Sequence, residues 1–153
     1  MTTLYRTSAT ATHEGRNGRV TSADGLLDVA MAMPKELGGA GGATNPEQLF
    51  AAGYAACFTS AMQLVARESK RALGAPTVTA HVGLDKEEDG FHLTVLLDIA
   101  LPDVAQADAE DIVRKAHGIC PYSRATRSDL DVGIRLVGWQ GAGAGDTRVL
   151  ENA

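Results

Sequence analysis

The sequence predicts an α+β domain over residues 1–138, followed by a glycine-rich, flexible tail over 139–153. Three observations lead there. Strand-like runs cluster near the N-terminus, two helical patterns stand apart from them, and an alternating hairpin lies between the helices. A chain of 153 residues is long enough for one compact domain with a core, and short for two.

Residues 3–12, TLYRTSATAT, are threonine-rich and alternate, which suits a strand. The turn Glu14-Gly15-Arg16-Asn17-Gly18 leads into a second strand, Arg19 to Ser22, that closes a hairpin. Asp24-Gly25 marks another turn before a short third strand, Leu26 to Met31. Pro34 then opens an irregular stretch, with LGGAGGAT running to Thr44.

The strongest helix pattern follows. Asn45 is a favoured N-cap, Pro46 fits the first helical position, and Gln48 at N3 can complete a capping-box-like pair. The apolar pattern continues to about Ala72, a helix of ~40 Å at 1.5 Å per residue. Gly74 and Pro76 stop it. Thr77 to Lys86 and Phe91 to Leu101 alternate as two strands joined across Glu87-Glu88-Asp89-Gly90. Val104 to His117 is a second amphipathic helix, with Val104, Ile112, Val113 and Ala116 as its apolar side and Gly118 as its C′ residue. Cys120-Pro121 starts a short turn or helix, and Val132 to Val137 is a last strand.

Composition narrows the function classes. A net charge of -5 argues against nucleic-acid or anionic-membrane partners, which need a concentrated basic face. Aromatic residues make up 5% of the chain, too few for a base-stacking surface. No apolar run reaches the ~20 residues that span a bilayer. The stretch MTTLYRTSATATHEG lacks the apolar core of a signal peptide, so the expected location is cytoplasmic. Two cysteines are too few for a disulfide scaffold.

Several features are candidates for chemistry. Gly38 to Gly42 before a helix start invites an anion-loop reading, but GK[ST] is missing and Glu47 in the first turn would repel phosphate. A flexible turn or a substrate-side lid fits better. Among the histidines, only His117 and Cys120 have ligand-like spacing, and a zinc site needs at least three protein ligands. No metal site is expected, and His117 suits the helix C-terminus through its partial positive charge. Cys57 alone reads equally well as a small core residue. Cys120 sits at an N-cap position, where exposed amides favour thiolate. Two such cysteines could meet as an attacking and a resolving thiol, given a cationic partner. Arg19 is one candidate, although a lone strand arginine is ordinarily a solvated charge.

The motifs GRNGRV, the glycine-rich approach to NPEQLFAAGYAACF, and ICPYS together resemble the organic hydroperoxide resistance proteins, within the wider family that includes the osmotically inducible peroxidases. The resemblance runs from about Leu4 to Val137. It implies a thiol-dependent peroxidase that reduces alkyl and fatty-acid hydroperoxides, with no bound cofactor. Reducing equivalents would come from an external dihydrolipoyl-type dithiol, such as dihydrolipoamide or a lipoylated protein. The matched motifs make Cys57 the peroxidatic cysteine, Cys120 the resolving one, Arg19 the activating arginine and Glu47 its acidic partner. The implied architecture is an intertwined homodimer, with antiparallel sheets wrapped around two long central helices. Arg127-Ser128-Asp129-Leu130 departs from the glycine-asparagine turn expected of the family there, and the tail past Gly138 is longer than its pattern.

Leu49, Phe50, Tyr54, Phe58 and Met62 could line a pocket for greasy hydroperoxides, with an equal case for core packing. Glu47 and Cys57 are ten positions apart, ~15 Å on one straight helix. That exceeds the reach of an arginine held by Glu47, so either the helix start bends or a second chain supplies Glu47. The small residues Ala51 to Ala56 permit close helix contact, and composite sites at a dimer interface are expected. The competing reading from another class is a non-enzymatic thiol sensor or small-ligand binding module on the same fold.

Overall fold

A computed structural model of the protein describes residues 2–151. The chain divides between Leu49 and Phe50 into two compact units, where the sequence suggests one domain and a tail.

The N-terminal unit is built on an antiparallel three-stranded sheet of β1 (Ala9–Ala11), β2 (Arg19–Ser22) and β3 (Asp28–Ala30), in that order. The threonine-rich run pairs only over β1, with Ala9 opposite Ser22 and Ala11 opposite Val20. Between β1 and β2 lies a 3-10 turn, Gly15–Asn17, entered through a left-handed Gly15 with φ 56°. Its Asn17 side chain accepts the Met33 amide at 3.0 Å, which ties the turn to the segment after β3.

The glycine-dense stretch is a hydrogen-bonded turn. The Gly39 amide reaches the Pro34 carbonyl and the Gly41 amide reaches that of Met33, both at 3.0 Å. Gly39 lies so close to the Met33 carbonyl that a Cβ would overlap it. The Ala32 amide then bonds the Thr44 carbonyl at 2.8 Å, which delivers the chain to the start of the long helix.

That helix, α1, spans Pro46–Glu68. Asn45 caps it through its side-chain oxygen, which accepts the Gln48 amide at 2.9 Å. The capping box does not form, because the Gln48 Oε1 accepts instead from the Thr44 hydroxyl at 2.8 Å. The helix also ends earlier than Ala72. Lys70 adopts φ 53°, and the Arg71 amide turns back to the Ala66 carbonyl at 2.9 Å, a left-handed termination made without glycine. By length and composition α1 could cross a bilayer, contrary to the expectation that no apolar run is long enough. Its buried face belongs to a core instead: Tyr54, Phe58, Ala61, Met62, Val65 and Ala66 are all enclosed.

The C-terminal unit carries a four-stranded sheet in the order β4 (Thr77–Glu87), β5 (Gly90–Ala105), β6 (Val132–Gln140) and β7 (Arg148–Glu151). The β4–β5 hairpin forms as the alternation predicts. On β5, Val95, Leu97, Ile99 and Leu101 face the core while Leu96, Asp98 and Ala100 alternate outward. Strand β5 continues to Ala105, so helix α2 covers Gln106–Ile119 and starts later than Val104. Gly118 lies inside α2 rather than beyond it.

The sheet is not purely antiparallel, because β5 and β6 run parallel. The connection between them contains α2 and a short α3 (Pro121–Thr126), the kind of crossover that returns a chain in the same direction. Ile112, Val113 and Ala116 of α2 pack in one cluster with α1, β5 and β6. The tail also differs from expectation. Residues 148–151 pair with β6, with Leu136 opposite Arg148, so the described part of the tail closes a sheet edge. The last two residues of the expected tail lie outside the described residues.

Candidate active site

Cys57 lies mid-way along α1, half-buried, and Cys120 is fully buried between α2 and α3. Both are free thiols, and the Cys120 thiol points to the Cys57 sulfur at 3.6 Å. The local sequence explains this placement. Cys120 ends α2 by donating its amide to the Ala116 carbonyl at 2.8 Å, and its own carbonyl receives the Arg124 amide at 3.0 Å. With Pro121 at the first helical position, Cys120 is therefore the N-cap of α3, as its sequence context suggests.

Burial pushes the Cys57 thiol up from its ordinary value, and the neighbouring Cys120 thiol adds to the effect. The backbone amide of Tyr122, in the first turn of α3, opposes both by hydrogen bonding to the Cys57 sulfur. Within these surroundings the thiol is favoured over the thiolate.

Around the pair, α3 lies close against α1. The Tyr54 hydroxyl and Ser123 hydroxyl share a hydrogen bond of 2.9 Å, with both residues completely buried. The Tyr122 ring lies beside Gly53, where a Cβ would come within 2.7 Å of its hydroxyl oxygen. Phe50, Tyr54 and Tyr122 form an aromatic trio with centroid separations of 5.9, 6.1 and 5.6 Å. Of the five residues considered for a substrate pocket, Tyr54, Phe58 and Met62 are wholly enclosed in the core. Core packing accounts for them, while Leu49 and Phe50 are half-buried.

In the N-terminal unit Glu47 is held by an arginine, but not by Arg19. Arg16 grips it with a two-pronged fork, Nη1 to Oε2 at 2.8 Å and Nη2 to Oε1 at 2.6 Å. Arg19 instead donates from Nε to Asp28 at 2.6 Å across the β2–β3 pair, and more than half of its side chain is exposed. The two arginines flank Asn17-Gly18 in one motif, and local structure separates their roles. Arg16 projects from the 3-10 turn, while Arg19 is on a strand whose neighbour supplies a carboxylate. Asp28 in the third strand is the sequence signal that points away from Arg19. The Arg16 hydrogen bonds hold the Glu47 carboxyl below its usual range, and Glu47 in turn raises the already high pKa of Arg16.

His117 is not a charged helix cap. Burial lowers its pKa, and its Nδ1 is enclosed with no hydrogen-bond partner among the described residues. The carbonyl of His117 is met by the Arg127 guanidinium at 3.4 Å, so arginine serves that helix end.

The OsmC-like protein family model matches residues 39–135. An organic hydroperoxide resistance protein of Xanthomonas axonopodis pv. citri is 50% identical over 135 residues, covering 87% of this chain and 94% of the relative. The organic hydroperoxide resistance protein OhrA of Bacillus subtilis is 48% identical over 129 residues, covering 80% and 89% respectively. The crystal structure of an organic hydroperoxide resistance protein from Legionella pneumophila superimposes with a TM-score of 0.84 at 50% identity. It spans 91% of this chain and 99% of that one.

Proposed function

This chain belongs to the OsmC-like protein family, and from that premise we propose that it is a cysteine-based peroxidase reducing organic hydroperoxides to alcohols. The observation that carries the reading is the 3.6 Å approach of the Cys120 thiol to the Cys57 sulfur, 63 positions apart in the chain.

The Cys57 thiolate attacks the distal oxygen of ROOH, and the O–O bond breaks. The leaving alkoxide takes a proton to give ROH, and Cys57 becomes a sulfenic acid. The Cys120 sulfur then attacks the Cys57 sulfur. A disulfide forms and water leaves, carrying the sulfenic oxygen and two protons. An external dithiol of dihydrolipoyl type restores both thiols by exchange through a mixed disulfide and is itself oxidised. That supply belongs to a reducing compartment, the cytoplasm.

Arg16, not Arg19, is the cation assigned to activation. It cannot lose its proton, it favours the thiolate, and its fork can donate to the leaving oxygen as charge develops there. Glu47 orients that fork. Since Glu47 and Cys57 are separated by ~15 Å along α1, the Arg16–Glu47 pair of one chain serves Cys57 of a second chain. The working form is accordingly a homodimer with composite sites, an apolar hydroperoxide being the substrate.

The test is turnover of cumene or linoleic hydroperoxide with dihydrolipoamide. Consumption is expected in the wild type and lost in Cys57→Ser. A Cys57→Ser protein with full turnover would overturn the assignment. A wild type that oxidises stoichiometrically without turnover would favour the thiol sensor.

A further inference from the structure

Three contacts set Cys120 and the first turn of α3 against one stretch of α1. The Tyr122 ring meets Gly53, the Ser123 hydroxyl meets that of Tyr54, and the Cys120 thiol meets Cys57. On α1 these positions span one helical turn, and on α3 they span the first turn. The Tyr54–Ser123 hydrogen bond is the one directional contact among them outside the sulfurs, and both partners are fully buried. A bond enclosed in this way is costly to break, since neither hydroxyl can turn to water. Burial also pushes the Tyr54 phenol up, so it stays protonated.

We infer that the Tyr54–Ser123 hydrogen bond is a positioning device that holds α3 where Cys120 can close on Cys57. It thereby decides whether an oxidised Cys57 becomes a disulfide or is oxidised further. This deepens the peroxidase reading above and rests on it. Closure takes the sulfurs from 3.6 Å to a bond of about 2.05 Å, a travel of roughly 1.5 Å. A misplacement of about 1 Å in a reacting group can cost a factor on the order of 100 in rate. Helix α3 has six residues and Ser123 is its fully buried residue, so release of that hydroxyl lets Cys120 drift on that scale. The competing fate of the sulfenic acid consumes a second hydroperoxide. One oxygen passes to sulfur, ROOH becomes ROH, and Cys57 ends as a sulfinic acid that no dithiol restores.

Closure is measurable without any hydroperoxide. Equilibration in glutathione redox buffer, quantified by mass spectrometry, gives the effective concentration of Cys120 toward Cys57. Tyr54→Phe and Ser123→Ala are each expected to lower it about fivefold, the double variant by no more than that. Ile112→Val, a core change on α2 eight positions before Cys120, serves as a stability control and leaves it unchanged. The proposal is overturned if both single variants remain within twofold of wild type, or if Ile112→Val falls as far as they do. Under excess cumene hydroperoxide, Tyr54→Phe should accumulate several-fold more Cys57 sulfinic acid per Cys57 oxidised. Equal accumulation in Tyr54→Phe and wild type also overturns the proposal. If hydroperoxide fails to oxidise Cys57 even in the wild type, the peroxidase reading falls, and with it the partition of oxidised Cys57. A fivefold glutathione effect would then leave only the positioning of Cys120 standing.

Discussion

Arg16 and Glu47 are joined by two hydrogen bonds of 2.8 and 2.6 Å, a planar fork on a carboxylate, and Arg19 three residues away takes no part in it. An arginine so held presents its remaining N–H groups in a fixed direction, which suits it to a charged sulfur or a developing alkoxide. Arg16→Ala is therefore expected to lower kcat/KM for cumene hydroperoxide on the order of 100-fold. Arg19→Ala loses only an exposed pair with Asp28 and should stay within about threefold of wild type. Steady-state kinetics on the two variants check the assignment, and the reverse ranking would return the role to Arg19.

How far the sequence reveals this site depends on whether the decisive contact is local. The Asn45 cap, the β4–β5 hairpin and Cys120 at the start of α3 follow from neighbouring residues, and the structure has them. The choice between Arg16 and Arg19 depends on a 3-10 turn and on Asp28 nine positions beyond Arg19, so motif matching alone selects the wrong partner for Glu47. The parallel β5–β6 pairing and the β7 edge are decided by tertiary pairing, to which alternation and glycine content are blind. Tyr54 and Ser123 are 69 positions apart, and neither residue type signals the bond between them.

The lowered pKa of His117 gives stability a pH dependence of definite sign. Its folded value lies below the ordinary 6.5, so as pH falls through 6.5 the unfolded chain binds the proton first. Stability contributed by neutral His117 is thus present above that value and lost progressively below it. The loss through Glu47 is separate, since it begins only below about 4.5. Urea unfolding between pH 7.5 and pH 5.5 should show the wild type weakening toward acid, and His117→Gln should remove most of that slope.

The glycine-dense turn makes a different prediction. A methyl group on Gly39 would overlap the Met33 carbonyl, a backbone atom that cannot swing away. Gly39→Ala is expected to destabilise the N-terminal unit by about 1–3 kcal/mol. At Gly15 the space around a Cβ is open, and only the left-handed φ of 56° opposes substitution. Gly15→Ala should cost about 1 kcal/mol. Chemical denaturation of the two variants tests the order.

Composite sites can be tested by mixing inactive chains. Arg16→Ala retains both cysteines, and Cys57→Ser retains the Arg16–Glu47 fork. If each site were built within one chain, no mixture of these variants could assemble an intact one. If Arg16 of one chain serves Cys57 of the other, each mixed dimer contains one complete site. After subunit exchange half the dimers are mixed and half of their sites are complete, so activity should recover to roughly a quarter of wild type. Recovery should require exchange, being absent when the two proteins are combined under conditions that keep dimers intact. A mixture that stays at the sum of its parts after full exchange would place Arg16 and Cys57 of a site on the same chain, and the start of α1 would then have to bend to bring them together.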